Sequence, residues 1–213
     1  MKNGIYILII LFVFSCNSED ANDCFQKAGS IVQEEVFVSS FEKILVNKDV
    51  ELILKQDIDF EVVIETGENL LNDVEAKVVN NELQLTDHNS CNYIRDYGIT
   101  KVYVSAPNIT EIRSSTQYDI SSDGVLHYAD LKLFSEDFNA PGSITVGDFK
   151  LQVNSQNLNV VGNNISSFYI SGSTQHLYVG FFSGTGRFQG ENLIAQEVDV
   201  YHRGTNDILV NPQ

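Results

Sequence analysis

The sequence predicts an all-β domain of the β-solenoid type, in which short strands stack coil upon coil. Between residues 36 and 85, apolar and polar residues alternate, which places apolar side chains on one face of a strand. After Pro107, short apolar-x-apolar triplets recur at a loose spacing of about twenty residues. Gly, Asn and Ser turns separate them, while Trp is absent. This composition favours strands joined by tight turns.

The N-terminus has the features of a bacterial lipoprotein signal. Lys2 is followed by an unbroken apolar run at 5–14, which is shorter than the roughly 20 residues that span a bilayer. The run ends in Ser15-Cys16, and a small residue before Cys is typical of a lipoprotein box. We therefore predict a signal peptide at 1–15 and acylation of Cys16. An ordinary signal peptide with a chance Cys, or a buried strand, is the alternative.

For the remaining chain, the sequence predicts a tether followed by one domain. Residues 16–23 are short, polar and acidic, as expected of a flexible tether. Residues 24–213 form the predicted solenoid domain, with a longer-strand half to about 106 and a short-strand repeat half from about 107. Asn80-Asn81 lies between two apolar segments, and Asn tolerates positive φ, so we predict a tight hairpin there. Asn residues of the repeat half either form stacked amide ladders or occupy turns.

Two cysteines remain after Cys16. In an oxidising envelope compartment, Cys24 and Cys91 most economically form one disulfide. Thiolate metal binding is the alternative, but neither Cys has a second Cys or His at the usual ligand spacing, apart from His88 near Cys91.

The net charge of −16 argues against several partners. Nucleic acid needs clustered Lys and Arg, and the sequence has no such cluster, so we predict no nucleic-acid binding. Asp57, Asp59 and Glu61 are spaced by two, and on a strand they would share one face. That face is either a calcium site or, as we favour, a solvated acidic surface.

The sequence contains no recognisable catalytic centre. Its four His are scattered, and Gly-x-Ser-x-Gly, phosphate-loop and His-Glu-x-x-His patterns are absent. We predict a protein that is not an enzyme, with no catalytic residue, metal site or cofactor. The enzyme alternative is a polysaccharide-active site on a β-helix scaffold, which would cluster acidic and basic side chains on one face.

Aromatic residues give the strongest indication of binding. Tyr169, Tyr178 and Tyr201 fall on alternate, outward positions of the later strands. A stripe of tyrosines can stack on sugars or peptides, so we predict a binding stripe there. Lateral packing between coils is the alternative.

Several segments resemble one known family. They are residues 41–44, 50–56, 62–71, 78–83, 102–109 and 112–115. These segments resemble the head GIN domain family, also called putative auto-transporter adhesins, from about Cys24 to the C-terminus. The resemblance implies a right-handed parallel β-helix in an envelope lipoprotein, and Cys24 and Cys91 look like the paired Cys of one branch. The family's Ser-Gly-Ala-Gly turns are mostly replaced here, for instance by Ser135-Glu136-Asp137-Phe138.

We therefore predict a non-enzymatic, adhesin-like lipoprotein of the outer membrane, facing the periplasm or the cell surface. Its predicted partners are the membrane, through the N-terminal lipid anchor, and a glycan or protein ligand. The last strand, 208–210, lacks a polar cap, which predicts self-association. A purely structural envelope protein is a further alternative.

Overall fold

A computed structural model describes residues 23–89 and 91–213. The predicted signal peptide, Cys16 and most of the predicted tether lie outside these residues. The described part contains fourteen strands and two short 3-10 helices, Asp23–Phe25 and Leu71–Asp73. The strands are β1 (Ile31–Glu35), β2 (Lys43–Val46), β3 (Glu51–Gln56), β4 (Glu61–Gly67), β5 (Val74–Val79), β6 (Glu82–Asp87), β7 (Lys101–Ala106), β8 (Glu111–Ser114), β9 (Ile120–Leu126), β10 (Asp130–Ser135), β11 (Phe149–Gly162), β12 (Phe168–Phe181), β13 (Phe188–His202) and β14 (Ile208–Pro212).

The strands form one mixed sheet that curls into a half-barrel. The all-β class is therefore right, but the predicted right-handed parallel β-helix, or β-solenoid, is wrong. Strand β4 runs antiparallel to both β1 and β7, and β5 runs antiparallel to β6. A stack of equivalent coils would pair all of these strands in parallel.

The hairpin between β5 and β6 shows one physical reason for this difference. Its turn residues Asn80 and Asn81 have φ angles of 52° and 66°, and Val79 pairs directly with Glu82. The predicted tight hairpin is confirmed. A two-residue turn can join only antiparallel neighbours, because a parallel connection needs a crossover of a dozen or more residues.

The second half of the chain pairs in parallel at a regular offset. Phe149 of β11 is aligned with Phe168 of β12, and Phe168 with Phe188 of β13. The rings of Phe149 and Phe168 stack with centroids 4.7 Å apart, and all three side chains are fully buried. These phenylalanines are 19 and then 20 residues apart, so the repeat of about twenty residues seen in the sequence corresponds to the offset between paired strands.

Strands β11, β12 and β13 each turn a corner within one continuous strand. Along β11 alternate residues are buried until Gln156 and Asn157, which are exposed in succession. The segment before this corner pairs with β9, and the segment after it pairs with β10. The triplets that the sequence shows as separate, such as 151–153 and 158–160, thus lie on two segments of one strand. A single apolar cluster fills the interior from Phe41 to Ala195.

Candidate functional site

The outer face of the last strands carries an aromatic patch, defined here as Tyr178, Phe182 and Tyr201. Tyr178 lies two residues before Gly180 near the end of β12, and Phe182 lies two residues after it, directly beyond the strand. Tyr201 of β13 is the direct neighbour of Gly180. The rings of Phe182 and Tyr201 lie 5.1 Å apart. Both side chains are about two-fifths exposed, at 41% and 42%. The patch is therefore a pre-formed apolar surface with two phenolic hydroxyls.

Gly180 allows these rings to close over the backbone. A Cβ atom at this position would lie 2.8 Å from Cε1 of Tyr178 and 3.1 Å from the ring of Phe182. The absence of a side chain thus lets Tyr178 lie across the strand instead of standing away from it. Any larger residue at this position would push the rings apart.

The structure separates Tyr169 from the other two tyrosines of the predicted stripe. Tyr169 pairs with Lys150 and Gln189 on the segment of β12 that precedes the corner. Tyr178 lies on the segment that follows it. Tyr169 is 43% exposed, like Tyr201, but it does not belong to the same surface. Phe182 takes its place in the patch. Strand alternation indicates the outward position of Phe182, because the preceding Phe181 is buried and the next residue must point outwards.

A groove lies along the corner of β11, β12 and β13, with a volume of about 810 Å³. Amide and hydroxyl side chains line most of it, including Gln156, Gln175 and Gln196. On its margin, His176 Nδ1 and Glu197 Oε2 are 2.9 Å apart. His176 precedes Tyr178 by two residues on the same strand, so the groove adjoins the aromatic patch. We call it the corner groove.

A second, smaller pocket of about 390 Å³ lies beside the disulfide. Cys24 and Cys91 are bonded to each other, so the predicted disulfide is confirmed. In this pocket, burial raises the pKa of Asp87, and repulsion from Asp49 acts in the same direction. Hydrogen bonds from Thr100 Oγ1 (2.7 Å) and from the backbone of Asn89 (2.8 Å) offset this only in part. The disulfide fixes the 3-10 helix at Asp23–Phe25 to the loop that follows β6.

Asp57, Asp59 and Glu61, for which the sequence left a calcium site as an alternative, do not share a strand face. Asp57 and Asp59 lie in the turn between β3 and β4, and Glu61 begins β4. Lys55 Nζ donates to Asp57 Oδ2 at 2.7 Å, and this bond lowers the pKa of Asp57. Across residues 23–89 and 91–213, no group of three His, Cys, Asp or Glu side chains is placed to hold a metal ion.

Arg113 and Glu136 form the most enclosed ion pair on the outer face. Arg113 Nη1 lies 2.5 Å from Glu136 Oε1, and the Glu136 side chain is only 2% exposed. Burial alone would raise the pKa of Glu136, but hydrogen bonds from Arg113 and from the backbone of Asn139 outweigh it and lower that pKa. Arg113 also lies over the ring of Phe134, 4.7 Å from its centroid. Because every polar atom of this carboxylate is engaged, the pair stabilises the fold rather than offering a reactive group.

The fold and these surfaces define an all-β domain with an exposed aromatic patch beside a polar groove. The chain belongs to the family described as "Putative auto-transporter adhesin, head GIN domain", whose model matches residues 40–213. The resemblance stated from the sequence is confirmed.

Several solved structures share the fold. A putative adhesin from Bacteroides fragilis is 20% identical, with a TM-score of 0.75 over 88% of this chain and 83% of that one. A putative adhesin from Parabacteroides merdae is 14% identical, with a TM-score of 0.61 over 84% and 81%. A putative lipid binding protein from Parabacteroides distasonis is 12% identical, with a TM-score of 0.54 over 87% and 94%. No match was found among curated proteins.

The described residues include no helix that is both long and apolar enough to span a membrane.

Proposed function

We propose that this protein is a non-enzymatic, adhesin-like module of the cell envelope that binds carbohydrate through the aromatic patch. The observation that carries the proposal is the contact of Phe182 and Tyr201 at 5.1 Å on the exposed outer face. Flat rings bind the apolar faces of sugars, and their hydroxyl groups can pair with sugar hydroxyls. Membership of a family described as adhesins supports a role in binding.

Charge favours an uncharged ligand. The chain carries 29 acidic and 13 basic residues, so its long-range field repels anionic glycans and anionic lipid surfaces. Asp199 lies beside Tyr178 in the neighbouring strand and adds to this repulsion at the patch itself. A neutral sugar pays no such electrostatic penalty.

The matched pair Tyr201 and Tyr169 tests the proposal. The purified protein is screened on an array of neutral and acidic glycans, and the tightest ligand is titrated calorimetrically against wild type, Tyr201→Ala and Tyr169→Ala. The two tyrosines are equally exposed, but only Tyr201 belongs to the patch. Loss of one stacked ring removes roughly 1.4 kcal/mol or more, so we expect about tenfold weaker binding for Tyr201→Ala and little change for Tyr169→Ala. Equal losses in both variants, or the absence of any glycan ligand, would contradict the proposal.

We also propose that the module is held on the membrane by a lipid on Cys16. The lipoprotein-box pattern at Ser15-Cys16 supports this anchor. In cell fractionation, Cys16→Ser is expected to release the protein from the membrane fraction, whereas Ala21→Ser, which keeps both Cys16 and the disulfide, serves as the control that stays on the membrane. Membrane retention of Cys16→Ser would exclude a lipid anchor at this residue.

A further inference from the structure

The corner groove contains a row of three aligned glutamines. Ser155 of β11 pairs with Thr174 of β12, and Thr174 pairs with Ala195 of β13. The next residue in each strand is glutamine: Gln156, Gln175 and Gln196. Paired strands are about 4.8 Å apart, so the backbones that carry the three glutamines follow one another across the sheet at about that spacing. We call these three residues the glutamine row.

The amides of the glutamine row are exposed and available. Within residues 23–89 and 91–213, their side chains make no hydrogen bond, whereas the polar groups around them are engaged with one another. Ser155 Oγ donates to Thr174 Oγ1 at 3.0 Å beneath the row. Ser173 Oγ donates to Asn154 Oδ1 at 3.2 Å on one side of it.

The groove has few charged side chains for a protein with a net charge of −16. Among its lining residues the sole carboxylate is that of Glu197, which lies 2.9 Å from His176. The backbone of β12 is also occupied, because β12 is paired with β11 on one side and with β13 on the other. An added peptide strand would need free backbone groups at a sheet edge. Recognition over β12, in the middle of the groove, must therefore rely on side chains, and the glutamine amides are available for it.

From this geometry we propose that the glutamine row binds a linear, uncharged polysaccharide whose chain runs across the strands. Each amide presents two N–H donors and one carbonyl acceptor, which complement the hydroxyl groups of a sugar. A row of amides carried on evenly spaced strands suits a polymer with a regular repeat rather than a single compact sugar. The inference rests on the proposed function, and it specifies that function by adding a second contact line beside the aromatic patch.

Chain-length dependence tests the inference. Calorimetric titrations use uncharged linear β-glucan, xylan and mannan oligosaccharides, each from disaccharide to hexasaccharide, and galacturonate oligomers as charged counterparts. The proteins are wild type, Gln175→Ala/Gln196→Ala and the control Gln152→Ala, which removes an exposed amide of β11 outside the groove.

In the wild type, we expect the affinity for one uncharged series to rise with length. The double variant should lose about tenfold for the hexasaccharide and keep its disaccharide affinity, because two hydrogen-bonding groups are removed at a site that only the longer chain reaches. The control should behave as wild type.

Two results would overturn the inference in distinguishable ways. One result is an affinity that does not rise from the disaccharide to the hexasaccharide, or that rises equally in the double variant. This result would exclude binding by the glutamine row and leave the proposal for the aromatic patch unaffected. If the wild type binds no glycan at all, both proposals are excluded.

Discussion

Arg113 of β8 reaches across to Glu136, which follows β10, and the two form an ion pair with Nη1 and Oε1 2.5 Å apart. Strands β8 and β10 are paired in parallel, so this contact joins two neighbouring strands of the curled sheet. Glu136 stands in the turn 135–138, where this chain departs from the family's glycine-rich turns. The carboxylate also accepts a hydrogen bond of 2.8 Å from the backbone of Asn139, which orders the turn.

This pair predicts a loss of stability in acid. The folded pKa of Glu136 is below its usual value, so the pair contributes stability that is complete above the unfolded pKa and is lost as the pH falls through the folded value. Glu136→Gln leaves Arg113 with only the longer 4.0 Å contact to Glu111 and should lower the free energy of unfolding by about 3 kcal/mol at neutral pH. Urea unfolding across the acid range measures both effects. Parallel stability–pH curves for wild type and variant would contradict the assignment.

The phenylalanine pair Phe168 and Phe182 gives a matched comparison of core and patch. Phe168 is fully buried between Phe149 and Phe181, so Phe168→Ala should cost about 3–5 kcal/mol of unfolding free energy. Phe182 is 41% exposed, so Phe182→Ala should cost much less and instead weaken glycan binding. Chemical denaturation and calorimetric titration measure the two quantities. The reverse order of stabilities would show that the core is misplaced.

The disulfide is expected to contribute strongly to stability. It links residues 67 positions apart, and closing a loop of that length restricts the unfolded chain by about 4 kcal/mol in the chain-entropy model. The double variant Cys24→Ser/Cys91→Ser should lower the free energy of unfolding by that order, and reduction of the wild type should reproduce the loss. A variant as stable as the wild type would mean that this crosslink does not restrict the unfolded state.

The C-terminal edge of the sheet predicts self-association. Strand β14 pairs with β13 only as far as Ala195, and beyond it the outer edge of β13 is unpaired among the described residues. Val200 on this stretch is 47% exposed. Exposed strand edges invite pairing with another chain. Light scattering should show concentration-dependent association that increases with salt, since salt screens the net negative charge, and Val200→Lys should suppress it. A monomer at all concentrations would refute this prediction.

Sequence patterns predicted strands and exposure better than they predicted pairing. Alternation identified the buried positions of β4, such as Val62 and Ile64, but the same alternation fits a parallel or an antiparallel neighbour. Asn80-Asn81 predicted an antiparallel pair, because both residues tolerate the positive φ that a two-residue hairpin turn needs. No comparable signal marks the insertion of β4 between β1 and β7. The sequence therefore predicted parallel pairing throughout, whereas β4 pairs antiparallel with both neighbours.

The candidate site was predictable only in part for a similar reason. Alternation placed Tyr169, Tyr178 and Tyr201 outwards, but the corner at Gln175 and His176 breaks it and divides the three between two segments. The glutamine row was present in the sequence as an offset of 19 and then 21 residues. Its meaning depended on the register, which pairs Ser155 with Thr174 and Thr174 with Ala195. The asparagines 154, 157 and 159 lie along one strand, so they cannot stack on each other.

The most direct test of the central claim is an NMR titration of the isotope-labelled protein with the tightest-binding neutral glycan from the array. Amide shifts report the contact surface residue by residue without any substitution. The largest changes are expected at Gly180 and the adjoining aromatic patch, with smaller changes in the corner groove. Changes centred on Tyr169 or on strands β1 to β7, with the patch unaffected, would contradict the account.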